Sequence, residues 1–583
     1  MNRVSDFLLL YDQSSQRWLE FTNPVGVLTA YHLRDVLPAL RQVEAATGRG
    51  WWAAGFLTYE AAPAFDAALE THTETGGLPL LWFGLYNTPR AVNPPPPAEE
   101  AAPLAWQASM DAEAYQQGFE RIKRHIGAGE TYQVNYTFRL RAPFQGNAHD
   151  LFVRAVQAQG GGYPVFVETD AWVIGSASPE LFFSLEGERL VSKPMKGTAP
   201  RGLWLEDDQA QAEWLRNSEK NRAENVMIVD MVRNDMGRIA RTGSVHVPAL
   251  FQVEKYRTVW QMTSTVVCET SAGLTDILTA LFPAASITGA PKARTMQLIR
   301  QLETTPRRIY TGTLGYVAPG RRWQFNVAIR TFLLDKATQQ VEYGLGGGIV
   351  WDSEPRDELR EAYRKAQILT APPPPRFDLL ETLLWRPDSG FVLLERHLAR
   401  MRASAAYFEF PFQEQEIRRK LNATIHYLRT ATGEQAQESL LRVRILLSSD
   451  GEIHIKHAPL EPLPSPYRVR LAERPVESGY PFLYHKTTHR ALYQSLQAAG
   501  YDDVLLWNER GELTESTIAN LVVLRGGEWL TPPLHCGLLP GTARAEWLAQ
   551  GKLREAVVRV EDLAECDKMF LLNSVRGLWE ITL

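Results

Sequence analysis

The sequence predicts an α+β protein whose chain folds as more than one domain. Short apolar runs rich in aromatic residues alternate with long amphipathic helical patterns. At 583 residues the chain is too long for one hydrophobic core. Two proline runs, NPPPPAEEAAP at 93–103 and APPPPR at 371–376, favour extended spacers. We expect the second run to be a domain boundary, since the chemistry changes across it, and the first to be a loop.

The predicted organisation therefore has four parts. Residues 1–103 form a β-rich lobe, because runs such as GWWAAGFLTYEA and LPLLWFGLYN are typical of strands. Residues 104–370 form a mixed domain, residues 371–376 form a linker, and residues 377–583 form a second domain. No repeat of fixed period is visible along the chain.

The composition excludes several classes of protein. The chain has 62 Lys and Arg against 67 Asp and Glu, a net charge of −5, with no long basic run, so a nucleic-acid surface is not expected. Cys268, Cys536 and Cys566 form no CxxC or Cys/His cluster, which argues against zinc and against a disulfide scaffold. No apolar run is long enough for a signal peptide or a membrane span. We expect a cytoplasmic, reduced protein.

Three helical patterns organise the region 104–370. Asp111 can cap an amphipathic helix that ends at the GAG of 127–129, and a strand follows from Tyr132. A longer helical pattern covers 206–240. A third covers 355–369, with a proline at its start and acids in its first turn.

Carboxylates on two of these helices could hold a metal ion. Glu224 lies on the second helix, and Glu358 and Glu361 are three residues apart on the third, so they share a face. Carboxylate oxygens are the ligands that Mg²⁺ prefers. The alternative is that these acids are solvated and pair with a nearby Lys or Arg.

Three further features could bind an anion. A small-residue turn at Gly289 precedes a helix beginning near Lys292, where free N–H groups would point outward. Arg330 is the single charge in the apolar strand pattern of 325–332, and a carboxylate suits its guanidinium. Three glycines at 346–348 separate a strand from the last helix and leave backbone open to a ligand.

Six motifs of this region resemble those of the chorismate-utilising enzymes. The motifs are SPE (178–180), KPMKGTAPRG (193–202), SEKNRAENVMIVDMVRND (218–235), SITGAPKARTMQLI (286–299), AIRT (328–331) and GGGIVWDSEPRDELREAYRKA (346–366). The family includes anthranilate synthase component I, aminodeoxychorismate synthase component I, and the isochorismate and salicylate synthases. The resemblance runs in order from about residue 1 to 370 and implies their chorismate-binding fold, in which helices flank antiparallel sheets.

The resemblance also implies roles for individual residues. Glu224 and Glu361 would coordinate Mg²⁺ with Glu358 beside them, and Glu180 would be the general acid for the departing C4 hydroxyl. The residues that would bind chorismate are Arg330, Tyr316, Thr288, Gly289, Gly346, Gly347 and Gly348.

Lys196 distinguishes between members of the family. The corresponding motif resembles PIAGT in anthranilate synthases and PIKGT in aminodeoxychorismate synthases, and this chain has PMKGT. The resemblance makes Lys196 a nucleophile: its uncharged amine would attack C2 of chorismate as the C4 hydroxyl leaves, and ammonia would then attack C4 and expel the lysine.

One departure from the family pattern and the source of nitrogen bear on the reaction. Where some relatives have a histidine in an HHLVST-like strand, this chain has Gln261 in VWQMTST, so a titrating group is lost there. This fits a first reaction that stops at aminodeoxychorismate. No cysteine has the glycine-flanked context of a glutaminase nucleophile, so ammonia would come from a separate glutamine amidotransferase subunit or from solution.

The region 377–583 has the parts of a pyridoxal-phosphate site. Lys486 lies in YHKTTHRALYQ, Glu515 follows a hairpin turn in NERGELTES, and LLPGTAR places a Gly turn before a helix. A lysine, a carboxylate for the pyridine nitrogen and a phosphate cup are what this cofactor requires. Each feature by itself is common, and alone Lys486 would be a surface lysine.

Together these motifs and FLLNSVRG (570–577) resemble the fold-type IV pyridoxal-phosphate enzymes. That family includes branched-chain and D-amino acid aminotransferases and aminodeoxychorismate lyase, and it implies a domain of two subdomains and suggests a homodimer. Lys486 would be the Schiff-base lysine and catalytic base. The remaining residues that the resemblance assigns to the cofactor are Glu515, Arg400, Ser516, Thr517, Asn520, Gly541 and Thr542.

The two resemblances imply one pathway to 4-aminobenzoate, the folate precursor. The first domain would aminate chorismate, and the second would eliminate pyruvate from the product. Three alternatives remain: an anthranilate synthase fused to an aminotransferase, which Lys196 argues against; a C-terminal aminotransferase with another amino donor; and a C-terminal module that only scaffolds a glutaminase.

Overall fold

The chain divides into two compact units. The computed structural model describes residues 6–96, 104–370, 375–431 and 440–583. Unit 1 comprises Met1–Arg201 and Ala212–Pro374, and unit 2 comprises Gly202–Gln211 and Pro375–Leu583. The predicted proline spacers fall largely on residues 97–103 and 371–374, which lie outside the described residues. Within the described ranges, no helix combines the length and apolarity that crossing a membrane would need.

Helices occur in both units. Those of unit 1 are α1 (Leu33–Gly48), α2 (Ala112–Gly127), α3 (Ala148–Gln159), α5 (Glu219–Gly237), α6 (Leu274–Leu281), α7 (Lys292–Leu302) and α8 (Pro355–Ala366), and α4 (Leu205–Asn217) begins in unit 2 and ends in unit 1. Those of unit 2 are α9 (Leu394–Phe408), α10 (Glu414–Ala431), α11 (Ala491–Ser495) and α12 (Thr542–Ala549).

The strands of unit 1 form two large sheets. They are β1 (Phe7–Asp12), β2 (Arg17–Phe21), β3 (Gly26–Ala30), β4 (Trp52–Leu57), β5 (Leu81–Tyr86), β6 (Arg90–Val92), β7 (Gln107–Ala108), β8 (Gln133–Pro143), β9 (Val165–Glu168), β10 (Trp172–Ser176), β11 (Leu181–Glu186), β12 (Arg189–Lys193), β13 (Met195–Pro200), β14 (His246–Lys255), β15 (Val259–Glu269), β16 (Gly289–Ala290), β17 (Thr313–Ala318), β18 (Arg322–Val327), β19 (Thr331–Asp335) and β20 (Gln340–Ile349).

Both sheets of unit 1 are antiparallel. The first has the order β16-β8-β20-β19-β10-β9-β1-β2-β6, with β7 also paired to β8. The second has the order β13-β15-β12-β11-β18-β17-β4-β5-β3, with β14 also paired to β15. Apolar side chains from both sheets, such as Leu10 and Phe56, form one buried cluster, so the sheets face each other. Helices α2, α3 and α8 cover the first sheet, and α1, α5 and α6 cover the second. This confirms the predicted arrangement of antiparallel sheets flanked by helices.

A buried ion network joins the ends of α7 and β8. Arg307 donates from Nε and Nη2 to the carboxylate of Glu303, at 3.0 and 2.7 Å. The same guanidinium donates to the backbone oxygens of Asn135 and Ile287, at 2.6 and 2.9 Å. Because both charged side chains are almost fully buried, removal of Glu303 would leave the Arg307 charge uncompensated, and removal of Arg307 would leave Glu303 its more distant pair with Arg139 at 3.7 Å. The network therefore fixes Asn135 and the segment before Thr288.

Unit 2 also contains two sheets, as a domain of two subdomains requires. Its strands are β21 (Leu379–Arg386), β22 (Gly390–Phe391), β23 (Leu441–Leu447), β24 (Ile453–Pro459), β25 (Val469–Leu471), β26 (Asp503–Trp507), β27 (Leu513–Ser516), β28 (Asn520–Arg525), β29 (Glu528–Thr531), β30 (Arg554–Glu555), β31 (Lys568–Asn573) and β32 (Gly577–Glu580). The smaller sheet, β22-β21-β23-β24, packs against α9 and α10 around one core. The larger sheet runs from β25 to β30, with β31 and β32 joined at β28.

Several predicted boundaries differ from the structure. The pattern of 206–240 forms two helices, because Ser218 is extended and its side chain accepts a hydrogen bond from the Asn221 N–H as the cap of α5. The apolar pattern of 325–332 forms two strands, broken at Arg330, which has a positive φ of 52°. The three glycines lie inside β20 rather than after it, and they pair with β8.

Candidate active sites

In unit 1, Lys196 lies on a distorted edge strand. The pairing of β13 with β15 shifts register between Met195 and Thr198, and such a bulge redirects the intervening side chains. The Asn225 side chain donates to the Lys196 carbonyl oxygen at 3.3 Å, and the Gln261 Nε2 donates to the Gly197 carbonyl oxygen at 3.1 Å. Gln261, which the sequence analysis aligned with a histidine of some relatives, thus helps to fix the strand that carries Lys196.

The amine of Lys196 lies between a carboxylate and bare backbone. Its Nζ is 3.6 Å from Oε2 of Glu224, and its side chain is only 15% exposed. A Cβ built on Gly348 would lie 2.5 Å from this Nζ, so any side chain at that position would displace the amine. The amide of Gln133 lies 3.0 Å from that Cβ, and neither its oxygen nor its nitrogen has a hydrogen-bond partner although both are buried.

Helix α8 presents two of the predicted acids to the same region. Lys365, which the sequence analysis missed, forms an ion pair with Glu361 at 2.9 Å and donates to the Gly346 carbonyl oxygen at 3.2 Å. The charge of Lys365 lowers the pKa of Glu361. Burial raises the pKa of Glu358, whose Oε1 accepts a hydrogen bond from Ser353. The i, i+4 spacing of Glu361 and Lys365 was the sequence signal for this pair.

Glu180 is buried on the approach to β11. The residue is 3% exposed, and this burial raises the pKa of its carboxyl group to about 7. The positive charge of Lys196 opposes this shift. A carboxyl group with such a pKa can hold a proton near neutral pH and release it to a leaving group.

The residues assigned to chorismate are only partly brought together. Gly289 pairs with Val134 at the edge of the first sheet, where a Cβ would lie 2.0 Å from the Gln133 carbonyl oxygen. The Thr288 hydroxyl instead donates to backbone oxygens of residues 284 and 285. The partly buried Arg330 donates to the Gln159 side chain.

Tyr316 is not brought together with the other predicted residues. It is 1% exposed in the cluster between the two sheets, and its hydroxyl donates to Asp12 Oδ1 at 2.8 Å. Its ring contacts Trp52 at a centroid distance of 5.6 Å. The alternation of β17 points this side chain into the inter-sheet core, which the sequence motif alone did not reveal.

Glu224 and Glu361, the two predicted metal ligands, are paired with lysines. Among the residues that the structure describes, no group of three or more His, Cys, Asp or Glu side chains is arranged to hold a metal ion. Glu224 and Glu361 instead lie near Lys196 and Lys365. The oxygen-only donor set does fit Mg²⁺, provided that the acids exchange these ammonium partners for the ion.

In unit 2, Lys486 lines a cavity of about 330 Å³. Its carbonyl oxygen accepts a hydrogen bond from the Leu380 N–H at 2.9 Å, which fixes the loop before α11 to β21. Burial and the positive charge of Arg400 lower the pKa of Lys486 to about 8. A lysine with this pKa has an appreciable uncharged fraction near neutral pH, as a nucleophile or base requires.

Glu515 lies in the same cavity and is held by three donors. Tyr493 donates to its Oε1 at 2.9 Å, and the Asn520 side chain and the Leu539 N–H donate to its Oε2 at 3.3 and 3.2 Å. Burial raises the pKa of Glu515 to about 7. Ser516 and Thr517 also line the cavity, but the Ser516 hydroxyl donates to the Ala519 carbonyl oxygen in the β27–β28 turn and the Thr517 hydroxyl donates to Asp503 at the start of β26.

Arg400 and the turn before α12 form another wall of the cavity. Glu381 accepts two hydrogen bonds from Arg400, at 2.8 and 2.7 Å, and Nη1 of Arg400 donates to the Pro540 carbonyl oxygen at 3.0 Å. Although burial favours its neutral form, Arg400 and His397 hold the pKa of Glu381 at about 2. Gly541 caps α12, and a Cβ there would lie 1.8 Å from Asn520 Oδ1. A lysine, a carboxylate and a helix N-terminus thus surround one cavity, and these are the groups that pyridoxal phosphate requires.

Four arginines of this cavity were missed by the sequence analysis. Arg442, Arg444, Arg490 and Arg576 all line it. Burial and the charges of Arg442 and Arg490 lower the pKa of Arg444. Arg442 and Arg444 alternate with buried Val443 and Ile445 along β23, and this alternation was the available signal for a polar face.

Comparisons with known proteins agree with this division. Residues 6–371 match the family model described as chorismate binding enzyme, and residues 378–583 match the one described as amino-transferase class IV. The chain is 40% identical over 263 residues to aminodeoxychorismate synthase component 1 of Klebsiella aerogenes, which covers 45% of this chain and 58% of that protein. It is 38% identical over 264 residues to the protein of the same name from Bacillus subtilis (strain 168), covering 45% of this chain and 56% of that protein.

The chain thus spans somewhat more than half the length of these curated relatives. Among solved structures, anthranilate synthase component I from Streptococcus pneumoniae TIGR4 superposes with a TM-score of 0.53 at 24% identity, covering 64% of this chain and 93% of that chain, which shows a shared fold. Because the first family model spans well over half of the sequence, the protein belongs to the chorismate binding enzyme family and carries an amino-transferase class IV domain after it.

Proposed function

We propose that the chain makes 4-aminobenzoate in two reactions. Unit 1 would convert chorismate and ammonia to 4-amino-4-deoxychorismate, and unit 2 would eliminate pyruvate from that product. The observation that carries the proposal is the Lys196 amine, enclosed by Glu224 and by the backbone at Gly348. The relatives named aminodeoxychorismate synthase component 1 support the first reaction.

In unit 1 the amine of Lys196 would form a bond to C2 of chorismate while the bond from C4 to its hydroxyl breaks. Glu180 would give its proton to that hydroxyl, which leaves as water. Ammonia would then bond to C4, the C2–N bond would break, and the lysine would be free again. Gly348 would leave room for the substrate beside the amine, because a side chain there would meet Lys196 Nζ, and Gly347 borders Glu358 in the same way.

Magnesium would be held by Glu224 and Glu361, with Glu358 beside them. When bound, it would supply positive charge for the substrate carboxylate. The ammonium of Lys365 on α8 would add positive charge for the same carboxylate, since it lies beside the Gly346 carbonyl oxygen. Arg330, fixed in a left-handed backbone conformation, is assigned to a second anionic oxygen of the substrate.

In unit 2 the residues present fit pyridoxal phosphate. When bound, this cofactor supplies an electron sink for a carbanion next to the substrate nitrogen. Arg400 and the Gly541–Thr542 turn would hold its phosphate, and Glu515 its ring nitrogen. Lys486 would anchor the cofactor and then remove the proton at C4 of the amine substrate.

The arginine group of unit 2 fits a substrate with two carboxylates. Arg442, Arg444, Arg490 and Arg576 line one cavity, and no ion pair of these four is found among the described residues. Such a concentration of positive charge favours a dianion over a monocarboxylate amino acid. This supports elimination from 4-amino-4-deoxychorismate over transamination of an ordinary amino acid.

A separate glutaminase subunit would supply ammonia, as the words component 1 in the relatives' names suggest. The three cysteines are free in the structure, which suits a reducing cytoplasm. A homodimer through unit 2 is proposed from the fold-type IV resemblance alone.

The two reactions can be separated with lysine variants. The full chain, supplied with chorismate, Mg²⁺, ammonium and pyridoxal phosphate, is expected to release 4-aminobenzoate and pyruvate in equal amounts. Without the cofactor, or in Lys486→Ala, 4-amino-4-deoxychorismate should accumulate. Lys196→Ala should lose amination by about 100-fold or more. The exposed Lys552→Ala is the control and should behave as wild type. Release of anthranilate, or full amination by Lys196→Ala, would contradict the proposal.

The space around the amine can be tested without removing a charge. Gly348→Ala places a methyl group 2.5 Å from Lys196 Nζ. We expect amination to fall by about 100-fold, since displacement of a reacting group by 1 Å has an effect of this size. Gly237→Ala is the matched control, because a Cβ at Gly237 meets nothing within 4 Å. Equal activity of the two variants would show that the backbone at Gly348 does not border the reacting atoms.

The pH profile tests the role of Glu180. Because its pKa is about 7 and the protonated form is the acid, amination measured at fixed free-ammonia concentration should fall as pH rises through about 7. Glu180→Gln should lower the rate by about 100-fold and remove this limb of the profile. Glu186→Gln, which changes an exposed acid at the end of the following strand β11, is the control. If the amination rate of Glu180→Gln still falls as pH rises through about 7, the general acid is another group.

A further inference from the structure

A short segment from the first half of the sequence is built into unit 2. Gly202–Gln211 lies within the range that matches the chorismate binding enzyme model, yet it belongs to unit 2 by its contacts. Leu203 and Trp204 pack on a buried cluster of unit 2 that includes Tyr484 and Tyr493. The Trp204 ring lies 5.2 Å from the Tyr484 ring, at an interplanar angle of 31°.

The segment has a defined conformation of its own. The Gly202 N–H donates to Asp208 Oδ1 at 2.9 Å, and the Leu203 N–H donates to Asp207 Oδ2 at 2.8 Å. A Cβ on Gly202 would lie 2.1 Å from the Asp208 nitrogen, so the turn needs glycine. Two acids in the first turn of α4 thus fold the preceding residues back on the helix, and the Leu203 carbonyl oxygen is left free to accept a hydrogen bond.

That carbonyl oxygen is bonded to the residue that precedes Lys486. His485 is 4% exposed, and its Nε2 lies 3.1 Å from the Leu203 oxygen. Because a carbonyl oxygen only accepts, Nε2 must carry the proton, and in the neutral ring Nδ1 then accepts from the Ser404 hydroxyl at 2.9 Å. The Tyr407 hydroxyl donates to the Gly202 oxygen at 2.8 Å, and its ring lies 4.3 Å from that of His485.

We propose that Gly202–Trp204 is a positioning element of the cofactor site in unit 2, acting through His485 and Tyr484 on the loop that carries Lys486. On its other side this loop is held by the bond between the Leu380 N–H and the Lys486 oxygen. Loss of the segment would remove the hydrogen bond from the His485 Nε2–H to the Leu203 oxygen in a buried site, which is unfavourable. The loop would open more often, and water would reach the Lys486 amine.

Hydrogen exchange of the full chain without cofactor tests this directly. In Trp204→Ala we expect the amides of 480–488 to exchange about tenfold faster, because the loss of one aromatic contact lowers the local opening free energy by an amount of that order. Trp204→Phe keeps a ring and should stay close to wild type, with Trp204→Leu between the two. Trp214→Ala is the matched control, since Trp214 lies on α4, which begins directly after Trp204, but is 57% exposed in unit 1.

Two results decide the test: which amides exchange faster, and how the Ala, Leu and Phe variants of Trp204 rank. A graded increase confined to 480–488 supports the proposal, and the Phe and Leu variants decide it even if Trp204→Ala fails to fold. No change, an equal change in Trp214→Ala, or an increase spread evenly over unit 2 would overturn it.

A second readout rests on the proposed cofactor. The pH midpoint at which borohydride traps pyridoxal phosphate on Lys486 should move upward in Trp204→Ala and Trp204→Leu, because better solvation raises the pKa of a lysine. It should stay in place in Trp204→Phe and Trp214→Ala. If exchange at 480–488 responds as expected but wild type traps no cofactor, the proposed function fails while the positioning role stands.

Discussion

The first site depends on the close approach of one amine to bare backbone. Gly348 pairs with Asn135, and the buried Arg307 holds the Asn135 carbonyl oxygen, so the position of β20 is set from inside the molecule. The bulge that directs Lys196 is fixed separately, by side-chain donors from Asn225 and Gln261. Because both partners are held by rigid elements, the amine does not rely on a mobile loop for its place.

Unit 2 also holds a lysine amine in a confined site, but different charges surround it. Lys486 has a lowered pKa because burial and Arg400 disfavour its ammonium form. Arg400 is itself paired with Glu381, which moderates that effect and fixes the guanidinium toward the turn before α12. Both sites therefore combine a confined lysine with a carboxyl group of raised pKa, Glu180 in one and Glu515 in the other.

The sequence predicted what short motifs encode. Asp111 caps α2, Lys292 begins α7 and Pro355 begins α8, as the local signals indicated. It did not predict features set by tertiary contacts. The packing of Tyr316 between two sheets has no distinct local pattern, and the transfer of residues 202–211 to unit 2 depends on partners about 280 residues away. The helix break at Ser218 did have a local signal, a serine at the N-cap position, which the continuous helical pattern of 206–240 obscured. The alternation of Arg442 and Arg444 with apolar residues was visible in the sequence, but only the folded structure shows that both arginines line the cavity.

The most direct test of the central claim is to look for the bond that Lys196 is expected to form. The full chain is mixed with chorismate and Mg²⁺ without ammonia, quenched in acid, digested and analysed by mass spectrometry. The account predicts that the peptide containing Lys196 gains the mass of chorismate less one water, and that added ammonium removes the gain. An unmodified Lys196 peptide under conditions that support turnover once ammonium is added, or the same gain on another residue, would contradict it.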